Sequence, residues 1–241
     1  MRKSRLLALI PARGGSKGIP RKNLQEVGNQ SLLERTIHKA NDSGLFDEIC
    51  VSTDDQEIAQ NAKDLGAKVP FCRPPELSSD SATSFAVIQH AIKHYELLGM
   101  TFDYLTLLQP TTPFRRSEDL RIAHEAFKKS NCATLISVMD ASPFHQSTLY
   151  SINEKIDNRL AIVRPHSASI QSKVGKPRQS FDKRLWRNGS IYIFRPKILF
   201  EKQALINDPI MSFEMDWLYS INIDEPRDLE QARLLAQALQ I

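Results

Sequence analysis

Cysteine is scarce in this chain. Among the 241 residues only Cys50, Cys72 and Cys132 are cysteines, with no CxxC pair and no histidine clustered beside them. An odd and scattered set predicts neither a disulfide framework nor a zinc site. We therefore expect the three cysteines to be small, buried hydrophobic residues.

Long hydrophobic runs are also missing. The first apolar run, Leu6–Ile10, is too short to span a membrane, and Pro11 ends it before the layout of a signal peptide can develop. We expect a cytoplasmic protein with no membrane partner. With 41% hydrophobic and 25% charged residues, the chain fits one large domain, or one domain with an excursion.

Aromatic residues make up only 7% of the chain, and the formal net charge is a mild +4. The cations are nevertheless clustered: seven precede the first acid, Glu26, and eight lie in residues 159–187 against the single acid Asp182. Such clusters suit a nucleic-acid surface or a pocket for anionic small molecules. No RNA-binding signature interleaves aromatic residues with these cations, so the pocket is favoured.

Apolar periodicity alternates between strand and helix along most of the chain. Strands are predicted near 6–10, 46–51, 69–71, 104–108, 133–139, 188–194 and 219–224, and helices near 31–43, 53–65, 84–98, 117–129 and from 226 onward. This order predicts an α/β fold with a doubly wound, mostly parallel sheet. Ligands bind beyond the carboxyl ends of such strands, so the polar loops after the first, third and fourth strands are expected to line one pocket.

Residues 140–187 break the alternation. No helical period is sustained there, and prolines and serines interrupt the pattern. We expect an excursion from the sheet, built of strands or a hairpin that packs on a second subunit. Since no linker or repeat is visible, residues 1–241 are predicted to form a single domain that carries this excursion.

A glycine turn follows the first strand. Residues 13–18 read Arg-Gly-Gly-Ser-Lys-Gly, and the turn carries four cations: Arg13, Lys17, Arg21 and Lys22. It matches neither GxxxxGK[ST] nor GxGxxG, and a plain turn or a solvated charged loop is the alternative. Four cations at one strand end would repel one another unless an anion offsets them. Backbone amides in such a turn can cradle phosphate, so we predict a nucleotide triphosphate site.

Three other candidate sites are weaker. His90 and His94 are four residues apart, but no glutamate follows His90, so a solvated helix face is favoured over a metal pair. Asp54 and Asp55 resemble a catalytic carboxylate pair, yet Thr53–Gln56 is typical of a capping box and the cap is favoured. Spacing alone indicates no Ser-His-Asp arrangement.

Five stretches together resemble the acylneuraminate cytidylyltransferases, also called CMP-sialic acid synthetases. The stretches are IPARGGSKGIPRKN at 10–23, RPPELSSDSATS at 73–84, LLQPTTPFR at 107–115, RNGSIY at 187–192 and INID at 221–224. They cover nearly the whole chain in family order. The resemblance implies a fold similar to the nucleotide-diphospho-sugar transferases, and a homodimer in which the excursion at 140–187 reaches the partner's active site.

The same resemblance implies an activity. CTP and a nine-carbon 2-keto sugar acid of the sialic type would give the CMP-sugar and pyrophosphate, with Mg²⁺ as cofactor and no nucleic-acid partner. Cytidylyltransferases for legionaminate, pseudaminate or the eight-carbon Kdo are the nearest alternatives. A non-catalytic nucleotide-binding or RNA-binding regulator is the alternative of another class.

Site residues carry over position by position, with Arg13, Lys17 and Asp224 in the catalytic roles. The triphosphate would meet Arg13 and Lys17, helped by Gly14, Gly15, Ser16 and Lys22; cytosine and ribose would meet Asn23, Arg73, Ala82 and Ser84; the sugar acid would meet Gln109 and Thr111. From the excursion, a carboxylate or phosphate across the interface would meet Lys173, Lys176, Arg178 and Gln179. The alternatives without ligand binding are a salt bridge of Arg73 with Glu76, and a Pro-rich turn at 109–113.

The resemblance also implies a metal site. Asp224 matches a family metal ligand, although a carboxylate just before Pro226 would equally favour a helix N-terminus. Family members often carry Asp-x-Asp here, whereas this chain has Asn222-x-Asp224. An asparagine offers Mg²⁺ a carbonyl oxygen without charge, so Asn222 is a weaker candidate ligand.

Overall fold

The computed structural model describes residues 4–141, 150–156, 161–165 and 183–241. Its main sheet contains six strands: β1 (Leu6–Pro11), β4 (Glu48–Ser52), β5 (Tyr104–Leu107), β6 (Thr134–Asp140), β9 (Leu185–Phe194) and β10 (Ile210–Glu214). Two small sheets pair β2 (Glu26–Val27) with β3 (Gln30–Ser31), and β7 (Tyr150–Lys155) with β8 (Ala161–Pro165).

Six α-helices are found in the described part of the chain. They are α1 (Leu32–Ser43), α2 (Gln56–Asp64), α3 (Ser84–Leu97), α4 (Ser117–Lys128), α5 (Pro196–Lys202) and α6 (Pro226–Leu239). Short 3-10 helices lie at Lys22–Leu24, Pro75–Leu77 and Trp217–Tyr219. None of the helices in these ranges is long and apolar enough to span a bilayer.

The six strands lie in the order β10-β6-β9-β5-β1-β4. Strand β1 runs parallel to both β4 and β5, β10 runs parallel to β6, and β9 runs antiparallel to β5. The sheet is therefore mostly parallel, as the alternation of strands and helices predicts. Parallel neighbours end at the same edge, which brings the loops after β1 and β5 together.

Strand β1 shows why helices cover both faces of the sheet. Its side chains alternate: Leu6, Ala8 and Ile10 pack in one cluster with α1, α2 and α4, whereas Leu7 and Leu9 pack in another with α3 and α5. All five side chains are nearly inaccessible to solvent. A strand buried on both faces needs an unbroken apolar run, and the run Leu6–Ile10 supplies it.

Helix α1 has the ends that its sequence predicts. Its N-cap is Ser31, whose hydroxyl accepts a hydrogen bond from the Glu34 N–H at 3.1 Å. Gly44 ends the helix with φ of +64°, a conformation that glycine adopts without steric cost. At the other end of the chain α6 begins at Pro226, as predicted.

Several predicted details are wrong. Residues 69–71 form no strand, because only Lys68 bridges to Cys50 before Pro70. Residues 220–224 are also irregular, and α5, β10 and the antiparallel direction of β9 were not predicted. Of the cysteines, Cys50 is buried but Cys72 is exposed.

The chain divides into two compact units. One comprises Met1–Val138 with Asn188–Ile241, and the other is Met139–Arg187. The second unit has nearly the bounds of the predicted excursion. Its described strands β7 and β8 form an antiparallel pair, and Tyr150, Ile152, Ile162 and Val163 on them are exposed.

Candidate functional site

A cavity of about 240 Å³ opens where β1 and β5 end. Three separate stretches line it: the glycine turn and its continuation, the segment 73–84, and the loop after β5. The predicted site residues in its wall are Arg13, Ser16, Lys22, Asn23, Arg73, Ala82, Ser84, Gln109 and Thr111. Residues up to a hundred positions apart in sequence thus face one space.

The cations of the glycine turn meet acids from distant segments. Arg13 and Lys17 both bond the Asp80 carboxylate, at 2.7 and 2.6 Å, one to each oxygen. Arg21 pairs with Glu57 at 2.8 Å. Repulsion among the cations is therefore already reduced by carboxylates. Because the Lys17 and Asp80 side chains are 85% and 43% exposed, their ion pair is weak, and a more highly charged anion can displace it.

The two glycines at the start of the turn differ. The Gly14 N–H donates to the Asp54 carboxylate at 3.0 Å, so a protein acid already occupies that amide. Gly15 lies with Ser16 and Lys17 in the wall of a second hollow of about 270 Å³. Arg13 and Asp80 line both hollows, and the two spaces therefore adjoin at the predicted phosphate-binding residues.

Arg73 is 4% exposed and lines the cavity. Its Nε donates to the Ser52 hydroxyl at 3.0 Å, and its Nη2 donates to the Ser52 carbonyl. Burial lowers the pKa of Arg73 to about 10, with nearby Asp54 acting in the opposite direction. The guanidinium bonds the end of β4 rather than Glu76, so the surface salt bridge considered above is not formed.

Asn23 is buried and braces the turn, since its side-chain amide donates to the Arg13 carbonyl at 2.9 Å. The Lys22 side chain extends toward residues 223 and 224. Its ammonium donates to the Ile223 carbonyl at 2.9 Å and lies 3.4 Å from the Asp224 carboxylate. These bonds connect the cavity wall with the segment that carries the predicted metal ligand.

The carboxylate of Asp224 does not cap α6. Glu225 is the N-cap, and Asp228 completes a capping box by accepting from the N–H groups of Asp224 and Glu225 at 3.0 and 2.8 Å. The Asp224 side chain is 67% exposed and meets the Asn222 amide at 2.6 Å. Gly18 makes room for this segment, because a Cβ at position 18 would lie 2.9 Å from the Asp224 carbonyl oxygen.

The donor set around Asp224 fits a magnesium ion that is shared with phosphate. Asp224 supplies one carboxylate and Asn222 a carbonyl oxygen, and Mg²⁺ is commonly held by one or two carboxylates together with substrate phosphates. Within the described ranges no three His, Cys, Asp or Glu side chains converge as a ready-made metal cage. A metal at Asp224 would therefore need oxygens from the substrate.

The other candidates have structural roles. Asp55 is the N-cap of α2, accepting from Glu57 and Ile58, which confirms the cap but shifts it from Thr53. His90 and His94 pack edge-on against Phe71, at 4.6 and 5.0 Å between ring centroids, rather than lying on a solvated face. Arg178 and Gln179, with Lys173 and Lys176, lie outside the described residues.

Three residues of the site were not predicted. Asp80 binds Arg13 and Lys17, Ser52 anchors Arg73, and Arg115 donates to the carbonyl of Gln109 at 2.9 Å. Asp80 and Arg115 both stand inside stretches of family resemblance, which was the signal available. Ser52 is the last residue of β4, and no motif in the sequence identifies it as a site residue.

Comparison with known proteins agrees with the geometry of the site. The model of the family described as Cytidylyltransferase matches residues 7–241. A pseudaminic acid cytidylyltransferase from Campylobacter jejuni is 32% identical over 95% of both chains. A CMP-N,N'-diacetyllegionaminic acid synthase from Legionella pneumophila is 33% identical over 93% of both chains.

Two further matches are more distant. An N-acylneuraminate cytidylyltransferase from Escherichia coli O18:K1:H7 is 27% identical over 98% of this chain and 53% of its own length. The solved structure of a CMP:2-keto-3-deoxy-manno-octonic acid synthetase complexed with CTP superimposes with a TM-score of 0.70, at 18% identity, over 99% of this chain and all of that one. That structure supports the fold, and the family model and the relatives in sequence agree with the resemblance found in the motifs. The chain belongs to the cytidylyltransferase family.

Proposed function

We propose that this cytidylyltransferase transfers the cytidylyl group of CTP to a nine-carbon 2-keto sugar acid, a nonulosonic acid, and releases pyrophosphate. The observation that carries the proposal is the single cavity shared by the glycine turn, the segment 73–84 and the loop after β5. A cationic end at Arg13 and a polar end at Gln109 give such a cavity the chemistry for a nucleotide and a hydroxylated acceptor.

The acceptor is the finer part of the proposal. The motif resemblance to the acylneuraminate cytidylyltransferases favours N-acylneuraminic acid as the acceptor. Relatives named for pseudaminic and diacetyllegionaminic acids are more similar to this chain, at 32% and 33% identity, than the relative named for N-acylneuraminate at 27%. We therefore place pseudaminic and legionaminic acids ahead of N-acylneuraminic acid among the acceptors.

The residue roles follow from charge and hydrogen-bonding capacity. Arg13 and Lys17 would hold the triphosphate, exchanging one carboxylate, Asp80, for several phosphate oxygens. Arg73, whose Nη1 has no hydrogen bond to a described residue, would donate to an acceptor on cytosine. Gln109, which has both a donor and an acceptor group, would meet the sugar acid.

In the reaction the anomeric hydroxyl of the sugar attacks the α-phosphorus in line, the bond to pyrophosphate breaks, and the hydroxyl proton passes to solvent. Little covalent chemistry falls to the protein, so its part is to position the two substrates and to neutralise charge. Arg13 and Lys17 would stabilise the charge that develops on the leaving pyrophosphate. Mg²⁺ held by Asp224, Asn222 and phosphate oxygens would supply Lewis-acid polarisation of the phosphate.

The proposal is tested by pyrophosphate release. The protein is mixed with CTP, Mg²⁺ and, in turn, pseudaminic, N,N'-diacetyllegionaminic and N-acetylneuraminic acids and Kdo, with UTP as a control nucleotide. We expect release with CTP and at least one of the nine-carbon acids. Turnover with Kdo alone would show that the acceptor is an eight-carbon sugar acid. Binding of CTP without turnover of any sugar acid would favour a non-catalytic regulator.

A matched pair of variants ties turnover to the glycine turn. Lys17→Ala should lower kcat/KM by about 100-fold or more, because a charged transition-state contact is removed. Lys39→Ala, which removes an exposed lysine of α1 paired with Asp42, should leave it within about twofold. Near-normal turnover of Lys17→Ala would remove the glycine turn from the active site.

A further inference from the structure

Among the residues that the structure describes, Arg115 is the largest side chain that is almost completely buried, at 2% exposed. It stands between the loop after β5 and the start of α4. Its guanidinium donates three hydrogen bonds: to the Ser190 carbonyl at 2.8 Å, to the Gln109 carbonyl at 2.9 Å and to the Thr112 hydroxyl at 2.6 Å. All three acceptors are neutral.

No carboxylate of the described residues pairs with this buried cation. Asp119 is near enough to favour its charge, but the two oxygens of Asp119 are bonded by Arg116 at 2.6 and 2.9 Å. Burial lowers the pKa of Arg115 to about 9, and its Nη1 has no hydrogen-bond partner among the described residues. A buried cation without a charged partner destabilises a fold. The burial of Arg115 among neutral acceptors therefore indicates a role other than stabilising the fold.

The three bonds fix one wall of the cavity. Gln109 and Thr111 line that wall, and Arg115 holds the turn at 109–112 by its carbonyl and its threonine hydroxyl. The third bond ties the same turn to Ser190 on β9. Beside it Gly189 has φ of +79°, and a Cβ there would lie 3.0 Å from the Gln109 side-chain oxygen.

The 109–112 turn also supports the segment that carries Asp224. The Thr111 carbonyl accepts a hydrogen bond from the Ile223 N–H at 2.8 Å. Ile223 is fully buried, and the exposed carboxylate of Asp224 follows it directly. A shift of the 109–112 turn would therefore move Gln109 and Asp224 together.

We propose that Arg115 is a positioning residue: it locks the 109–112 turn against β9 and so sets the place of Gln109 and Asp224 relative to the phosphate-binding turn. The proposal rests on the proposed function for its kinetic consequence. Arg115 lines neither hollow, and in the proposed function Arg13, Lys17 and Arg73 hold the nucleotide without it. Its loss should accordingly affect use of the sugar acid more than affinity for CTP.

The experiment compares Arg115→Met and Arg115→Lys with Arg35→Met. Arg35 is a matched control: it is 6% exposed, its Nε donates to the Val27 carbonyl at 2.6 Å, and it lies away from the cavity. We expect Arg115→Met to lower kcat/KM for the sugar acid about 100-fold, as a misplacement of about 1 Å does, with the Kd for CTP within about threefold. Lysine cannot reach three acceptors, so Arg115→Lys should lose roughly tenfold.

A second measurement does not depend on turnover. Amide hydrogen exchange of Ile223 should quicken in both Arg115 variants, while the amides of β1 keep their protection. In Arg35→Met the exchange of Ile223 and kcat/KM should stay near wild type. If Arg115→Met does not fold, Arg115→Lys and the exchange of Ile223 decide.

Two results would overturn the proposal. One is unchanged exchange at Ile223 in the folded Arg115 variants; the other is an equal loss of CTP affinity and sugar-acid turnover. If the wild-type protein turns over no sugar acid, the proposed function fails by itself, and the exchange of Ile223 still tests the role of Arg115.

Discussion

At the residue scale, the glycine turn pairs its cations with exposed carboxylates, which a polyphosphate could replace in the proposed function. Arg13 and Lys17 share Asp80, each bonding one of its oxygens, as they would share two oxygens of a phosphate. The two cations hold the pKa of Asp80 below its usual range. Asp80 therefore remains ionised at neutral pH and, in the proposed function, would compete with the nucleotide for the same two side chains.

The variant Asp80→Asn should bind CTP more tightly. Exposed ion pairs are weak, so freeing Arg13 and Lys17 should lower the Kd only about severalfold at low salt. Isothermal titration calorimetry at low and high salt measures the change, which should shrink as salt screens the charges. Asp42→Asn, which frees only Lys39 on α1, is the control. Weaker CTP binding would show that Asp80 instead orders the two cations.

The variant Asp224→Ala should raise the Mg²⁺ concentration needed for half-maximal turnover by roughly tenfold or more, because it removes the proposed charged ligand. Glu225→Ala is the control, since it removes the neighbouring carboxylate at the same helix end. Magnesium titrations of initial rate give both values. A magnesium requirement of Asp224→Ala equal to that of the wild type would remove Asp224 from the proposed metal site.

At the element scale, α4 packs on β5 through a buried histidine. His124 is 1% exposed; its Nε2 lies 2.7 Å from the Thr106 hydroxyl, and its Nδ1 has no partner among the described residues. Burial lowers the pKa of His124 to about 3, with Lys128 adding to the effect. The folded protein therefore holds this imidazole neutral at pH values where the unfolded chain, with a pKa near 6.5, protonates it.

Stability should consequently be complete above pH 6.5 and fall as the pH drops from 6.5 toward 3. The slope from one such proton is at most about 1.4 kcal/mol per pH unit. His124→Gln should flatten this part of the profile of unfolding free energy, measured by urea denaturation at pH 7, 6 and 5. Thr106→Val keeps the buried imidazole and should keep the slope. Parallel profiles for wild type and His124→Gln would contradict the assignment.

At the scale of the whole molecule, the second unit presents apolar side chains to solvent. Ile152 and Val163, on β7 and β8, are 66% and 50% exposed. A two-stranded pair is marginally stable by itself, and exposed apolar patches commonly mark interaction surfaces. These features support the prediction that two copies of the chain pair through the excursion at 140–187.

We expect sedimentation at twice the chain mass of 27.4 kDa at micromolar concentration. Ile152→Glu should shift the protein toward the monomer, since it buries a charge in an apolar contact. Leu97→Glu changes an even more exposed residue, 87%, on α3 and should leave the mass unchanged. A wild-type monomer, or a dimer that Ile152→Glu does not weaken, would exclude this surface as the interface.

The sequence by itself determined the strands and helices whose patterns are strong and local. The run Leu6–Ile10, the glycine stop of α1 and Pro226 at the start of α6 act through near neighbours, so they can be recognised without the fold. The loops that line the cavity were predicted for the same reason. Each is polar and follows an apolar strand, and parallel strands end at one edge.

Only the tertiary structure decided which charges meet. No acid precedes Glu26 in the sequence, yet Asp80, Glu57 and Asp224 reach the cations of the glycine turn from three distant segments. The same holds for Arg115: its sequence neighbourhood resembles a surface loop, but the closure of β9 over the 109–112 turn buries it among carbonyls. Pairing and burial depend on contacts between residues far apart in the chain, which local pattern does not encode.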